Sequence, residues 1–125
     1  VGGATIPIVA DYGIITDEQF RLSTTSGGGS KQINFDLPDP PHGSRRILMF
    51  NIDLIDADDY TLEVTVNGTM VFKATYNGGA FFSIHEVIPK GLSELHQTQN
   101  WILFTAGGSG SAKIGDVVIF YQHQI

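Results

Sequence analysis

Cysteine is absent from the 125-residue chain. That absence removes disulfides, thiolate metal sites and cysteine nucleophiles together. Basic residues are scarce, 7 Lys and Arg against 13 Asp and Glu, giving a formal net charge of -6. Such a balance repels phosphate backbones and anionic membranes unless a basic patch overrides it. The only adjacent basic pair is Arg45-Arg46, so neither nucleic acid nor a membrane is an expected partner. No apolar run is long enough to span a bilayer, and no segment sustains helical periodicity. Serine never falls in G-x-S-x-G, and neither a phosphate loop nor a dinucleotide fingerprint occurs. The four histidines, His42, His85, His96 and His123, lack the short ligand spacing of a zinc site. A glycosidase would need two carboxylates facing each other in a cleft, for which a small sandwich offers little wall. The expectation is therefore a protein that is not an enzyme. An initiating Met and a charged leader are also missing from "VGGATIPIVADYG", which reads as the start of a processed or excised domain of a secreted or extracellular protein.

What the chain does have is glycine, 15 residues, five prolines, and period-two alternation almost everywhere after residue 30. "QINFDL" places Ile33, Phe35 and Leu37 on one face. "ILMFNIDLI" sets Leu48, Phe50, Ile52 and Leu54 against Met49, Asn51 and Asp53. "TLEVTV" and "TMVFKATY" flank Asn67-Gly68, a pair that accepts positive φ at both residues and marks a hairpin. "AFFSIHEVI", "NWILFTA" and "KIGDVVIFYQ" supply three more strands, with turn chemistry at nearly every boundary. "TIPIVA" and "FRLSTT" read as edge strands, with Pro7 tolerated where no ladder donor is needed. "TDEQF" reads as one helical turn capped by Thr16. "SGGGS" at 26–30 reads as a surface loop, and "GGSGS" at 107–111 as a hairpin loop or crossover. Seven or more short strands with alternating faces predict an all-β fold, an antiparallel β-sandwich, in one domain over 1–125 whose first 30 residues are the least defined.

The order "VIPKGL", "QNWILF", a Gly-rich loop and "IGDVVIFYQ" resembles the C-terminal half of galactose-binding-domain-like jelly rolls. That group includes many carbohydrate-binding modules. In them an Asn opens a strand and an Asp precedes the last core strand, positions matched here by Asn100 and Asp116. The resemblance implies a jelly roll, glycan as partner, and a structural calcium ion held partly by Asp116. The partner acids on offer near the N-terminus are Asp11, Asp17 and Glu18. The alternative for Asp116 is a turn beside Gly115, with its carboxylate accepting backbone N–H groups.

Three stretches hold candidate site residues. "DLIDADDY", residues 53–60, has enough acid to wrap a hard cation but lacks the Gly and distant Glu of an EF-type loop; such a run is more often a solvated turn, which is the reading for it here. Asn51 and Asp53 sit mid-strand on the face opposite the core, with Glu63 and Lys73 expected nearby if their polar faces coincide. "ATYNGGAFFSIHE", residues 74–86, is the most suggestive. Tyr76 and Phe81 flank Asn77-Gly78-Gly79, and His85 and Glu86 follow. A pyranose stacks its C–H face on an aromatic ring while amides and carboxylates take its hydroxyls. The other reading of this stretch is a hairpin loop with its rings turned inward. Trp101 is expected in the core. Asn67-Gly68-Thr69 fits a glycosylation sequon, although the hairpin already explains those residues. The expected function is a non-catalytic, lectin-like carbohydrate-binding domain using Tyr76, Asn77, Phe81, His85 and Glu86. Its rival is an assembly jelly roll that buries its exposed rings in an oligomer of a fibre, appendage or shell.

Overall fold

The computed structural model describes residues 7–24, 29–89 and 91–125. Most of "VGGATIP" and part of "SGGGS" lie outside them, as does Lys90. Six strands follow one another: β1 (Ile8–Thr16), β2 (Phe20–Ser23), β3 (Ser30–Phe35), β4 (Ile47–Val66), β5 (Thr69–Val87) and β6 (Asn100–Gln124). There is no helix among the described residues. Every pairing is antiparallel, in the order β1-β6-β4-β5, with β2 and β3 continuing β1's place along β6.

Three of these strands are far longer than the sequence suggests, because segments expected to be loops are kinks inside strands. In β4 the register slips between Leu54 and Ala57 and again before Tyr60, where Asp56 and Asp59 adopt φ of 51° and 48°. Its neighbours yield at the same level: Ala57 faces Gly78 of β5, and Asp58 faces Ser109 of β6. Gly108 and Gly110 approach the β4 backbone so closely that a Cβ on Gly110 would sit 2.6 Å from the Asp56 carbonyl oxygen, and one on Gly108 would overlap that of Asp59. Bulges aligned across three strands bend a sheet sharply. The acidic run and the two glycine patches are thus one fold line and not three loops.

The sheet doubles back along that line. Phe50, from the first half of β4, packs edge-on against Phe104 at 5.5 Å and Phe72 at 5.6 Å, both of which belong to the strand halves beyond the kink. Phe20 of β2 meets Phe104 at 5.3 Å. The first layer comprises β1, β2 and residues 47–55, 80–87 and 111–124. The second comprises β3 and residues 60–66, 69–76 and 100–107. The fold is an all-β antiparallel sandwich of jelly-roll type, with both layers cut from one ribbon.

Alternation fills the space between the layers. Leu48, Phe50, Ile52 and Leu54, then Tyr60, Leu62, Val64 and Val66, are buried along β4. Along β6 the buried set changes parity, from Ala112 and Ile114 to Val117, Ile119 and Tyr121. A bulge at Gly115-Asp116 causes the switch: Asp116 has φ 52°, and the register skips from Met49–Val118 to Asn51–Gly115. The Asn67-Gly68 hairpin joins β4 to β5 as predicted, both residues at positive φ.

Two local expectations are corrected. "TDEQF" forms no helical turn; Thr16 Oγ1 accepts the Glu18 N–H at 3.1 Å in a short link between β1 and β2. Trp101 is half-buried on the side of β6 opposite Ile102 and Phe104, so strand alternation overrides the preference of a large ring for the core. Asn100 is buried beside it. Its side chain exchanges two hydrogen bonds with the His96 backbone, 2.9 and 2.6 Å, and its Oδ1 accepts from Asn67 at 3.0 Å, satisfying the start of β6.

Candidate functional site

Directly opposed residues of an antiparallel pair share a face, so the ladder registers build the outer surface of the first layer row by row. Tyr12, Phe120, Ile47 and Val87 form one row across four strands. They are 54%, 36%, 37% and 63% exposed. Ile14, Val118, Met49 and His85 form the next. A hollow of about 340 Å³ lies among Ile47, Met49, His85 and Phe120. Further along, Asn51 faces Ser83, and Lys113, Asp53 and Phe81 make a last row before the fold line. Phe81 is 64% exposed. The face therefore grades from apolar at one end, where Tyr12 and Phe120 meet with centroids 6.2 Å apart, to polar at the other, where Phe81 stands exposed.

This geometry sorts the five residues singled out as ligand contacts. Phe81 and His85 come together on the outer face with Asn51 and Asp53. Tyr76 and Glu86 point the other way, opposite Tyr60 and Leu48 respectively, both buried. Tyr76 stacks on Phe82 with ring centroids 5.5 Å apart and planes 29° apart. One ring comes from each layer, so the pair closes the sandwich along β5, whose far edge pairs with no strand among the described residues. Burial pushes the Tyr76 hydroxyl pKa up. Asn77 braces the fold line, its Oδ1 accepting the Asp59 N–H at 2.8 Å. Glu63 and Lys73 pair with each other at 3.4 Å on the outer face of the second layer, away from Asn51 and Asp53.

Tyr12, Phe120, Ser83 and Lys113 complete the face and were not singled out from sequence. A signal for Phe120 does exist. "VVIFY" is apolar without interruption, the mark of a strand with apolar residues on both sides.

Asp116 lies on the same face, its Oδ2 accepting from Asn51 Nδ2 at 3.0 Å. Calcium needs six to eight oxygens. Among the described residues no group of three His, Asp or Glu gathers at Asp116, so any calcium there would draw most of its oxygens from carbonyls and water. Asp17 and Glu18 occupy the link after β1, while Asp11 joins a different cluster. His123 Nε2 lies 3.2 Å from Asp11 Oδ2 and 3.6 Å from Asp39 Oδ2, and its Nδ1 lies 2.9 Å from the Gln124 carbonyl oxygen. That carbonyl, then the two carboxylates, raise the His123 pKa against an opposing effect of burial.

No family model matches the chain, and no curated protein matches it. Solved structures do. PorU from Porphyromonas gingivalis, solved as a latent dimer, superposes with a TM-score of 0.61 at 14% identity over 98% of this chain and 14% of its own. A family 35 carbohydrate-binding module from Clostridium thermocellum gives 0.52 at 18% identity over 88% of this chain and 97% of its own. An infectious bursal disease virus structure, strain Gx, gives 0.51 at 14% identity over 94% of this chain and 32% of its own. This chain thus spans a small part of PorU and about a third of the viral protein, but nearly the whole of the module. At these identities the likeness is one of fold, and that fold is used by a sugar-binding module and a virus particle alike.

Proposed function

We propose that the chain is a non-catalytic carbohydrate-binding domain whose ligand lies across the outer face of the first layer. The observation that carries this reading is the row Lys113–Asp53–Phe81. It places a ring with most of its surface in solvent beside a carboxylate, an ammonium and, one row on, the amide of Asn51 and the hydroxyl of Ser83. A pyranose has an apolar C–H face and a rim of hydroxyls, and it needs this pairing of flat ring and hydrogen-bonding groups. Such a face can hold a saccharide without a cleft. Likeness in fold to the family 35 module supports the reading. Its test is calorimetric titration against a panel of plant and bacterial glycans. One or more glycans bind, Phe81→Ala weakens binding about tenfold or more, and Tyr76→Ala leaves the affinity of the folded fraction unchanged. A panel with no binder, or Phe81→Ala with full affinity, contradicts it.

A second reading is favoured by a different observation, the two apolar rows at the other end of the same face. Tyr12, Ile14, Ile47, Phe120 and Val87 make a contiguous exposed patch of the kind found at protein contacts. In an assembly domain that patch would be covered by another subunit. Light scattering separates the two readings: a monomer favours the glycan face, and a stable oligomer that Phe120→Ser dissolves favours assembly.

A further inference from the structure

We propose that Asp11, Asp39 and His123 form a binding site for one divalent first-row cation of the zinc class, separate from the glycan face. The trio gathers at the end of the first layer, on the side of β1 and β6 that carries the buried Tyr121. Asp11 faces Tyr121 in the ladder and lies diagonal to His123, and Asp39 arrives from the segment between β3 and β4. One ligand atom from each lies within 4.8 Å of the other two.

The His123 ring and the Asp11 carboxylate are each oriented by a partner outside the trio, and Asp39 is held through its backbone. The Gln124 carbonyl can only accept, so the contact at His123 Nδ1 places a ring proton there, and Nε2 is the nitrogen that faces both carboxylates, where a metal ion would replace its proton. A backbone carbonyl on the far nitrogen is the support that metal-binding imidazoles usually have. Asp11 Oδ1 accepts the Tyr12 N–H at 2.8 Å, which turns Oδ2 toward His123. The Asp39 N–H donates to Tyr121 Oη at 3.2 Å. Two further bonds, His42 N–H to the Gln122 carbonyl at 2.7 Å and Arg45 N–H to Gln122 Oε1 at 3.1 Å, hold the same segment along the free edge of β6. Asp39 therefore rests on a fixed backbone.

Two carboxylates and an imidazole nitrogen converging on one point call for a positive charge between them, which a metal ion or the Nε2 proton of a charged His123 supplies. The spacing suits a metal ion. Ligands about 2.0–2.2 Å from a tetrahedral centre are roughly 3.3–3.6 Å apart, and the Nε2 to carboxylate distances here are 3.2 and 3.6 Å. One imidazole and two carboxylates give a neutral set around a divalent ion with a position left for water. An imidazole ligand selects zinc and its neighbours over calcium, for which three donors are also too few. The ion would tie β1, the 36–46 segment and the last strand together, joining residues 112 positions apart.

The test uses the chelator-stripped chain and zinc chloride, read by calorimetry and by the imidazole nitrogen shifts of His123. Zinc binds at one equivalent with the His123 Nε2 resonance moving, and it raises the melting temperature. His123→Gln and Asp39→Asn each weaken it about tenfold or more, while His96→Gln does not. Asp39→Asn keeps the backbone N–H and lies outside any strand, so it distinguishes lost binding from lost folding, which circular dichroism checks. The proposal is overturned if zinc fails to bind tighter than about 100 μM, if either variant binds as before, or if calcium is preferred at the trio. In the first case a protonated His123 between two carboxylates is the whole role of the cluster.

Discussion

Tyr60 illustrates what a single buried polar atom contributes. Its ring lies in the core, and its hydroxyl donates to the Leu22 carbonyl at 3.0 Å, tying β4 to β2. Burial pushes its pKa up from 10.0 to about 12. The unfolded chain therefore releases the phenol proton first as pH rises. Stability from this group is complete below pH 10, falls between 10 and 12, and is gone above the folded value. Two units correspond to about 2–3 kcal/mol. Urea unfolding midpoints should thus drop through that window. Tyr60→Phe should cost about 1–2 kcal/mol at neutral pH, because the Leu22 carbonyl loses its donor, while flattening the alkaline decline. An equally steep decline in the variant would assign it to other groups. Trp101 shows the limit of composition at this scale. A sole tryptophan invites placement in the core, yet the alternation with Ile102 and Phe104 already assigned it to the other face.

At the scale of elements, the fold line is the feature that sequence obscured. Asp-rich and Gly-rich segments signal a positive φ, but a turn and a bulge draw on the same residues. Choosing between them requires knowing that three neighbouring strands kink at one level, which is a long-range fact. The strands themselves, the Asn67-Gly68 hairpin and the core face of β4 were legible, because period-two patterning is local. Gly108→Ala tests the fold line. At φ 75°, and with a Cβ driven into the Asp59 carbonyl, the variant should lose roughly 2–4 kcal/mol, more than a left-handed glycine alone accounts for. Gly107→Ala next to it meets no atom within 4 Å and should fall within about 1 kcal/mol of the parent. Equal midpoints in urea for the two variants would remove the tight approach from the account. Arg46 plays a comparable part in the 88–99 segment. It is 4% exposed, donates to the Ser93 carbonyl at 2.6 Å and lies 3.6 Å from Glu94. Arg46→Ala should cost about 3 kcal/mol, since the buried Ser93 carbonyl loses a charged donor, as chemical unfolding would report.

At the scale of the whole molecule, one ribbon folded on itself has two outer faces of different character. The second layer shows paired charge, Glu63 with Lys73, and a hydrogen bond between the Thr61 and Thr75 hydroxyls at 3.1 Å. The first layer shows rings and aliphatics beside polar groups, among them Asn51 bonded to Asp116. Half of the candidate site was visible in sequence, because Asn51, Asp53, Phe81 and His85 are polar or aromatic residues at outward positions. The rest was hidden. Assigning Tyr76 and Glu86 to the inner side requires the register of β5 on β4, and joining Tyr12 and Phe120 to the face requires the pairing of β1 with β6. Sequence separation, not residue type, set that boundary. The central claim is that ligand meets the outer face of the first layer, and amide chemical-shift mapping with a bound glycan tests it most directly. The account predicts that shifts cluster at Asn51, Asp53, Phe81, Ser83 and Lys113 while Tyr76, Glu86 and the 60–66 stretch stay still; perturbations centred on Tyr76 and Glu86, or on the Glu63–Lys73 face, would contradict it.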